Sequence, residues 1–250
     1  MDPNGYQALR RRFSESTLSW RGPAMMLFAR SGFALLAQGL VAAILAFKSR
    51  PSPWEAAGPW LPVYGTLIDA GCIFMLWRLT RREGIRLVDL IGFKRQRLVR
   101  DILIGLALIP ASLVFIYAGV FAAGWLIYGS PSPPYFHGEL PLPAALYGVF
   151  VWPLIWGFAE QMTYNGYLLP RFQVLSRNTV AAIAIVAFVW SFQHVVMPLE
   201  FDGKFMAFRL LSSIPHSVFG ALVYLRLRRV VPLAIGHAVM DGTTVLIGSF

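Results

Sequence analysis

Apolar residues in this chain form seven long runs, separated by shorter segments that are polar or rich in arginine. The runs cover approximately residues 24–47, 60–77, 103–128, 145–169, 179–197, 205–225 and 230–248. A helix needs about 20 mainly apolar residues to cross a bilayer, and each run approaches that length. The pattern therefore predicts an all-α fold, a polytopic transmembrane helical bundle of about seven spans.

The composition supports a membrane protein. The chain has 57% hydrophobic and only 14% charged residues, whereas about 25% of residues are charged in an average soluble domain. A length of 250 residues leaves room for one bundle and no sizeable soluble domain. The single cysteine, Cys72, excludes an internal disulfide. The net charge of +10 is more typical of cytoplasmic loops than of nucleic-acid binding, so no nucleic-acid partner is predicted.

The basic residues indicate an orientation and a division of the chain. Of the 22 Lys and Arg residues, 17 lie in the N-terminal arm and in every second connection after it, while the alternate connections hold only Lys48, Arg50 and Lys204. The positive-inside rule then predicts a cytoplasmic N-terminus. We expect a basic arm at 1–23, N-terminal transmembrane helices at 24–144 and a C-terminal core at 145–250.

Three features of the N-terminal region are expected to be structural. Residues 81–100 interleave apolar and basic side chains, which predicts an interfacial amphipathic helix lying along anionic headgroups. The proline-rich segment 129–143 is predicted to form a cap or lid, because proline interrupts helices. Arg30 and Asp69 lie at similar depth in the first two runs, so we expect them to form an ion pair that stabilises the bundle.

Four ionisable side chains in the last four runs suggest chemistry. A glutamate in hydrocarbon is costly and marks a functional site by default, which singles out Glu160. Antiparallel helices joined by a turn near Asn178 bring Glu160 and His194 to the same level. His237 and Asp241 are four residues apart, so they share one helix face. A buried carboxylate beside neutral imidazoles suits a general base that activates water, with imidazole donors for an oxyanion.

Other interpretations of these residues remain open. Two histidines and a carboxylate also match the ligands of a divalent metal such as zinc, with Glu160, His194 and His237 as candidates. Sequence spacing does not separate a glutamate base from a glutamate ligand, so no cofactor is certain. The same groups can instead be hydrogen-bonded residues that fix helix packing. His216, in the middle of a run, is assigned to that structural class.

Three short motifs occur in order on successive runs. They are E-Q-M-T-Y-N-G-Y-L-L-P-R over residues 160–171, W-S-F-Q-H ending at His194, and H-A-V-M-D starting at His237. Here the sequence resembles the CPBP intramembrane proteases, the group of the type II CAAX prenyl endopeptidases and the bacterial Abi proteins. The corresponding motifs of that group are E-E-x-x-x-R, F-x-x-x-H and H-x-x-x-N/D. The resemblance covers about residues 145–248.

The resemblance implies a role for each of the four site residues. Glu160 would activate water, His194 would assist it, and His237 with Asp241 would form the oxyanion site. The function implied is an intramembrane endopeptidase that hydrolyses a peptide bond in a membrane-associated protein or peptide.

Three supporting positions differ from the pattern or extend it. The second glutamate of the first motif is Gln161 here, its arginine is Asn165, and Trp190 stands in the aromatic position of the second motif. Because Gln161 and Asn165 are four residues apart on a helix, we expect a hydrogen bond between them in place of an ion pair. Whether these changes abolish activity is left open by the sequence.

The sequence analysis therefore predicts an integral membrane protease of a bacterial inner membrane, whose partners are the lipid bilayer and a membrane-associated substrate. The alternative is a non-enzymatic CPBP-like binding protein, such as a bacteriocin immunity factor or a protein-maturation partner. A transporter is third, because no inverted repeat matches the polar cluster. The H-E-x-x-H and G-x-S-x-G motifs of zinc and serine hydrolases do not occur.

Overall fold

The computed structural model describes residues 2–131 and 140–249, with side chains up to residue 246. This part of the chain is helical, and its only β-type pairing is an isolated bridge between Val196 and Leu199. The α-helices are α1 Tyr6–Ser14, α2 Arg21–Leu27, α3 Ala29–Phe47, α4 Pro53–Ala57, α5 Leu61–Arg82, α6 Leu98–Tyr128, α7 Leu142–Phe150, α8 Trp152–Gln161, α9 Leu169–Leu175, α10 Thr179–Gln193, α11 Gly203–Leu227 and α12 Val231–Ser249. The predicted all-α class is confirmed.

Helices long and apolar enough to cross a membrane number four in the described residues. They are Ala29–Phe47, Pro53–Arg82, Leu87–Tyr128 and Gly203–Leu227. The second joins α4 to α5, and the third includes short 3₁₀ turns that precede α6. The pair Leu142–Phe150 and Trp152–Leu175, bent by 42°, makes a fifth if it forms one span. The predicted spans at 179–197 and 230–248 correspond to the shorter apolar helices Thr179–Gln193 and Val231–Leu246. The bundle thus has four or five candidate spans, and the count of seven stays a prediction.

The interfacial helix predicted at residues 81–100 is not formed as one helix. α5 ends at Arg82, and Gly84 and Gly92 then adopt positive φ angles of +70° and +65°. Such angles interrupt a right-handed helix and are easily reached only by glycine. Two short 3₁₀ turns, Leu87–Leu90 and Arg95–Arg97, occupy the segment before α6 begins. The alternation of apolar and basic residues there describes a surface segment and not a continuous helix.

The N-terminal arm is anchored to the C-terminal half of the chain. Leu9 and Leu18 are buried in a small apolar cluster with Val174 and Leu175 of α9. Asn4 donates a hydrogen bond of 2.8 Å from Nδ2 to the backbone oxygen of Gly166. The arm therefore packs against the segment that carries the first motif.

Side-chain caps set the starts of the two helices that follow this motif. Asn178 Oδ1 accepts from the backbone N–H groups of Val180 and Ala181, as an N-cap of α10 does. Asp202 Oδ1 accepts from the N–H groups of Lys204 and Phe205 and starts α11 in the same way. The turn predicted near Asn178 is confirmed.

The helix that carries Glu160 lies in the interior of the bundle. α8 packs against α5, α7 and α12, while α11 packs between α6 and α10. The chain from Trp152 to Leu175 continues as one helical stretch, although its middle part, Met162–Leu168, is π-helical. Of the cap predicted at 129–143, residues 132–139 lie outside the described part of the chain.

Candidate active site

A cavity of about 180 Å³ lies among α6, α8, α10, α11 and α12. It is lined by Ile116, Val120, Glu160, Trp190, His194, Arg209, Ser212, Ser213, His216, His237, Met240, Asp241 and Thr244. All four residues predicted to carry chemistry therefore line one cavity. Its lining comes from the second half of α6, the end of α10, the first half of α11 and the middle of α12, with Glu160 from α8. This is the half of the bundle away from the arginine-rich connections.

Glu160 is fully buried, and its hydrogen bonds to described residues all go to one of its two oxygens. Oε1 accepts hydrogen bonds from Trp190 Nε1 and from Gln193 Nε2. Oε2 has no hydrogen-bond partner among the described residues, and its nearest cation is the NH2 group of Arg30 at 3.8 Å. The carboxylate is thus held in one orientation by α10 while the second oxygen stays available to a ligand in the cavity.

The ion pair predicted between Arg30 and Asp69 is confirmed, with Arg30 NH1 donating to Asp69 Oδ1 at 2.8 Å. Both side chains are fully buried. Arg30 Nε also donates to Gln193 Oε1 at 2.9 Å, and the guanidinium lies over the ring of Trp156 at 4.4 Å. The pair does more than join α3 to α5, because Gln193 connects it to Glu160.

His237 is the middle of a chain of polar contacts that begins beneath the cavity. Asn165 Nδ2 donates to Gln161 Oε1 at 2.6 Å, which confirms the predicted hydrogen bond between these two residues. Gln161 Nε2 lies 3.1 Å from His237 Nδ1. On the other side of the ring, His237 Nε2 lies 3.4 Å from Asp241 Oδ2. Gln161 and Asn165 are the two positions that differ from the family motif. Gln161 contacts the imidazole directly, and Asn165 is linked to it through Gln161.

His194 follows the last residue of α10 and reaches the cavity from its rim. Its backbone oxygen accepts a hydrogen bond of 3.1 Å from Arg209 Nε, and the backbone oxygen of Met197 accepts one of 3.0 Å from Arg209 NH2. These two bonds tie the connection after α10 to α11. They therefore fix the end of the helix from which His194 projects.

Trp190 is held by contacts with two helical segments. Its ring stacks on Tyr164 with centroids 5.4 Å apart and planes 9° apart. α11 also approaches the ring so closely that a Cβ on Gly220 would lie 2.9 Å from it. Such a contact is too short for a real side chain, so only glycine leaves Trp190 in the place where Nε1 meets Glu160.

The π-helical segment Met162–Leu168 begins directly after Gln161. Single-turn π segments shift helix register by one residue and occur frequently at functional sites. The segment carries Tyr164 beneath Trp190 and Asn165 beneath Gln161. Its backbone oxygen at Gly166 is the one that accepts from Asn4 of the N-terminal arm. The pattern of apolar residues does not predict this π-helical segment.

The candidate metal ligands do not converge on one point. Within residues 2–131 and 140–246, no three His, Cys, Asp and Glu side chains form a group that can hold a metal ion. Glu160, His194 and His237 line the cavity as separate groups. The metal site stays a hypothesis from the sequence, without a formed ligand set to support it.

Sequence reasoning missed four residues of this site. Gln193 and Arg30 orient Glu160, Arg209 lines the cavity and fixes the connection after His194, and His216 lines the cavity although it was assigned a structural role. The ring of His216 lies 6.1 Å from those of Trp190 and His237. Only Gln193 had a usable signal, an amide directly before the motif histidine.

Comparison with known proteins bears on the C-terminal part of the chain. Residues 142–243 match the family model described as "Rce1-like: Type II CAAX prenyl endopeptidase Rce1-like". A search of curated proteins and a search of solved structures find no match. The matched region contains Glu160, His194, His237 and Asp241 and agrees with the resemblance inferred from the three motifs. The match over residues 142–243 makes this part of the chain similar to the type II CAAX prenyl endopeptidases and supports a CPBP family intramembrane protease.

Proposed function

We propose that this protein is an intramembrane endopeptidase that hydrolyses a peptide bond in a membrane-associated protein or peptide by means of a water activated by Glu160. The observation that carries the proposal is the one-sided contact of the Glu160 carboxylate. Oε1 is fixed by Trp190 and Gln193, while Oε2 receives no hydrogen bond from the residues that the structure describes. A buried acceptor left in this state at the wall of a polar cavity suits a bound water.

The reaction begins with a water held between Glu160 Oε2 and the His194 ring. Glu160 takes a proton from this water as the hydroxide adds to the carbonyl carbon of the substrate. His237 donates a hydrogen bond from Nε2 to the oxyanion that forms, and Asp241 orients that N–H. The proton then passes from Glu160 to the departing amide nitrogen as the C–N bond breaks. Products are a carboxylic acid and an amine.

The location of the cavity supports cleavage near one membrane surface. The lining residues lie in the half of the bundle opposite the arginine-rich connections. If these connections face the cytoplasm, as the positive-inside rule indicates, the cavity belongs to the outer half of the membrane. We propose this orientation, with the N-terminus in the cytoplasm, an inner-membrane location and the catalytic core in residues 145–250.

The test is cleavage of a panel of membrane-associated peptides by purified protein in liposomes. Wild type, Glu160→Gln and the control Glu15→Gln are compared, since Glu15 is an exposed residue that directly follows α1. We expect cleavage by wild type and the control, and a loss of about 10³-fold or more in Glu160→Gln. A parallel series with a metal chelator distinguishes a glutamate-activated water from a metal-dependent hydrolase.

Full cleavage by Glu160→Gln would contradict the proposal. Loss of wild-type cleavage on chelation, restored by zinc, would replace it with the metal-dependent mechanism. The non-enzymatic alternative makes the opposite prediction for the same variant: peptide binding to the reconstituted protein persists in Glu160→Gln, and wild type cleaves no member of the panel.

A further inference from the structure

We propose that Gln161 sets the tautomer of His237, so that the ring carries its hydrogen on Nε2 and directs it towards the cavity. Gln161 is thus a positioning residue that acts through the imidazole. The use of this N–H as the oxyanion donor rests on the proposed function. The tautomer itself does not, and it can be measured without any substrate.

The argument starts from the polarity of the contacts along the chain Asn165, Gln161, His237 and Asp241. Asn165 Nδ2 donates to Gln161 Oε1 at 2.6 Å, which leaves the Gln161 amide N–H to face His237 Nδ1 at 3.1 Å. An N–H can only donate, so Nδ1 must be the acceptor nitrogen. A neutral imidazole with an acceptor at Nδ1 carries its hydrogen on Nε2.

The far side of the ring agrees with this polarity. Nε2 lies 3.4 Å from Asp241 Oδ2, and an ionised carboxylate only accepts. The contact is longer than an aligned hydrogen bond, and Oδ2 has no such bond among the described residues. The Nε2–H group is therefore close to an acid without being fully engaged by it. It can turn to a substrate oxygen at little cost.

Reversing both amides is the one arrangement that would give the opposite tautomer. It would direct the lone pair of His237 Nε2 at the Asp241 carboxylate, 3.4 Å away, which is repulsive. It would also bury the two N–H groups of Asn165 where Oδ1 now has no partner. A buried unpaired N–H costs free energy, and the reversed arrangement would leave both N–H groups of Asn165 unpaired, whereas one of them is now paired with Gln161. The orientation described above avoids both penalties.

A glutamate at position 161 would reverse the requirement. A carboxylate has no hydrogen to give, so it would accept from Nδ1–H, while Asp241 still faces Nε2. The ring would then have acids at both nitrogens. The neutral amide of Gln161 and the acid of Asp241 form a matched pair, in which one nitrogen receives a hydrogen bond and the other offers its hydrogen.

The test measures the ring nitrogens by ¹⁵N NMR on histidine-labelled, full-length protein in bilayers, with the His237 signals assigned by their loss in His237→Gln. Wild type should have a protonated Nε2 and a bare Nδ1. Gln161→Glu should protonate Nδ1. The double variant Gln161→Glu/Asp241→Asn should have Nδ1 protonated and Nε2 bare. Thr244→Val, which changes the cavity wall without touching this chain of contacts, should match wild type.

Asp241→Asn alone keeps the inference falsifiable if Gln161→Glu does not fold. Because Gln161 still donates to Nδ1 in that variant, the hydrogen should stay on Nε2. A wild-type ring with a protonated Nδ1, or a reversed tautomer in Asp241→Asn, would overturn the inference.

Cleavage kinetics separate this inference from the proposed function. In an active enzyme, Gln161→Glu should lower kcat by about 10-fold or more with little change in KM, because the donor acts on the transition state. An expected NMR result without any cleavage by wild type would leave the tautomer assignment standing and reject the proteolytic role. Cleavage by wild type together with an unchanged tautomer in Gln161→Glu would support the proteolytic role and reject the role of Gln161 in setting the tautomer.

Discussion

Glu83 and Glu160 are both buried carboxylates near buried arginines, and they differ in how fully their oxygens are used. Glu83 binds Arg171 through both oxygens, with contacts of 2.9, 3.1 and 2.5 Å, and also accepts from the hydroxyl of Tyr167 at 3.0 Å. Arg171 donates further to Asn4 and to the backbone of Tyr167. Glu160 Oε2 has no hydrogen bond within the described part of the chain and lies 3.8 Å from Arg30 NH2.

The difference separates a structural carboxylate, Glu83, from the one proposed to be reactive, Glu160. A saturated ion pair repays its desolvation through its hydrogen bonds, and it has nothing left to offer a substrate. Glu83 thus joins α5, α9 and the N-terminal arm. At Glu160 the arginine is instead occupied by Asp69 and Gln193, so the carboxylate keeps one oxygen for a ligand. Position near a buried cation does not decide the role, but the remaining hydrogen-bonding capacity does.

The largest expected effect tests the reactive side of the comparison. In Glu160→Gln we expect cleavage to fall by about 10³- to 10⁴-fold, because an amide cannot take a proton from water. The unfolding temperature should stay close to that of wild type, since Arg30 retains Asp69. Both are measured on one preparation, by peptide cleavage and by thermal unfolding in detergent. A large loss of stability would place Glu160 in the same class as Glu83.

The next effect tests the structural side. Glu83→Gln leaves the Arg171 guanidinium buried without its carboxylate, and breaking such a pair costs about 3 kcal/mol or more. We expect the unfolding temperature to fall by roughly 6–12 °C. The double variant Glu83→Gln/Arg171→Gln should recover part of this loss, because it leaves no unpaired charge. Equal stability of wild type and Glu83→Gln would show that the fully hydrogen-bonded Glu83–Arg171 pair contributes nothing to the free energy of unfolding.

A smaller effect is expected when Glu160 is given a close arginine partner like that of Glu83. Asp69→Asn removes the acid that occupies Arg30, so the guanidinium should turn to Glu160 Oε2 and block the water. We expect kcat to fall by about 100-fold with the protein still folded. Asp89→Asn, at an exposed ion pair with Arg86, is the control. Unchanged kcat in Asp69→Asn would mean that the 3.8 Å separation has no role in catalysis.

The smallest effect concerns Glu200, in the connection between α10 and α11. This carboxylate forms no ion pair with an arginine of the described residues. Burial, with a smaller contribution from Glu55, raises the pKa of Glu200 from 4.5 to about 7. The folded state therefore favours the protonated form, and this contribution to stability is full below pH 4.5 and is lost as the pH rises through 7. Glu200→Gln should raise the unfolding temperature slightly at pH 8 and leave it unchanged at pH 4. A decrease at pH 8 would contradict this.

The fold class and the membership of the site could be predicted because both depend on local signals. Apolar runs determined the helices, and intramembrane ionisable residues are rare enough that Glu160, His194, His237 and Asp241 stood out. The hydrogen bond between Gln161 and Asn165 followed from helix geometry. The pairing of Arg30 with Asp69 followed from matching depth.

Other features depend on contacts that no local pattern contains. Gln193 binds both Glu160 and Arg30, and it is 163 residues from Arg30 in sequence. The prediction of a helix at 81–100 was wrong. It relied on the alternation of apolar and basic residues and did not consider Gly84 and Gly92, at which the chain turns. The π-helical segment Met162–Leu168 results from packing of the surrounding helices and has no periodicity of its own to detect.

The long separation between Arg30 and Gln193 has a consequence for biosynthesis. The chain emerges from the N-terminus, so α3 is made long before α10 exists. Glu160 cannot acquire its fixed orientation until Gln193 has been added and has met Arg30. Asn4 likewise waits for Gly166, 162 residues later. A partly synthesised chain therefore holds an unoriented carboxylate, and the proposed hydrolytic site takes shape only after α10 has been made.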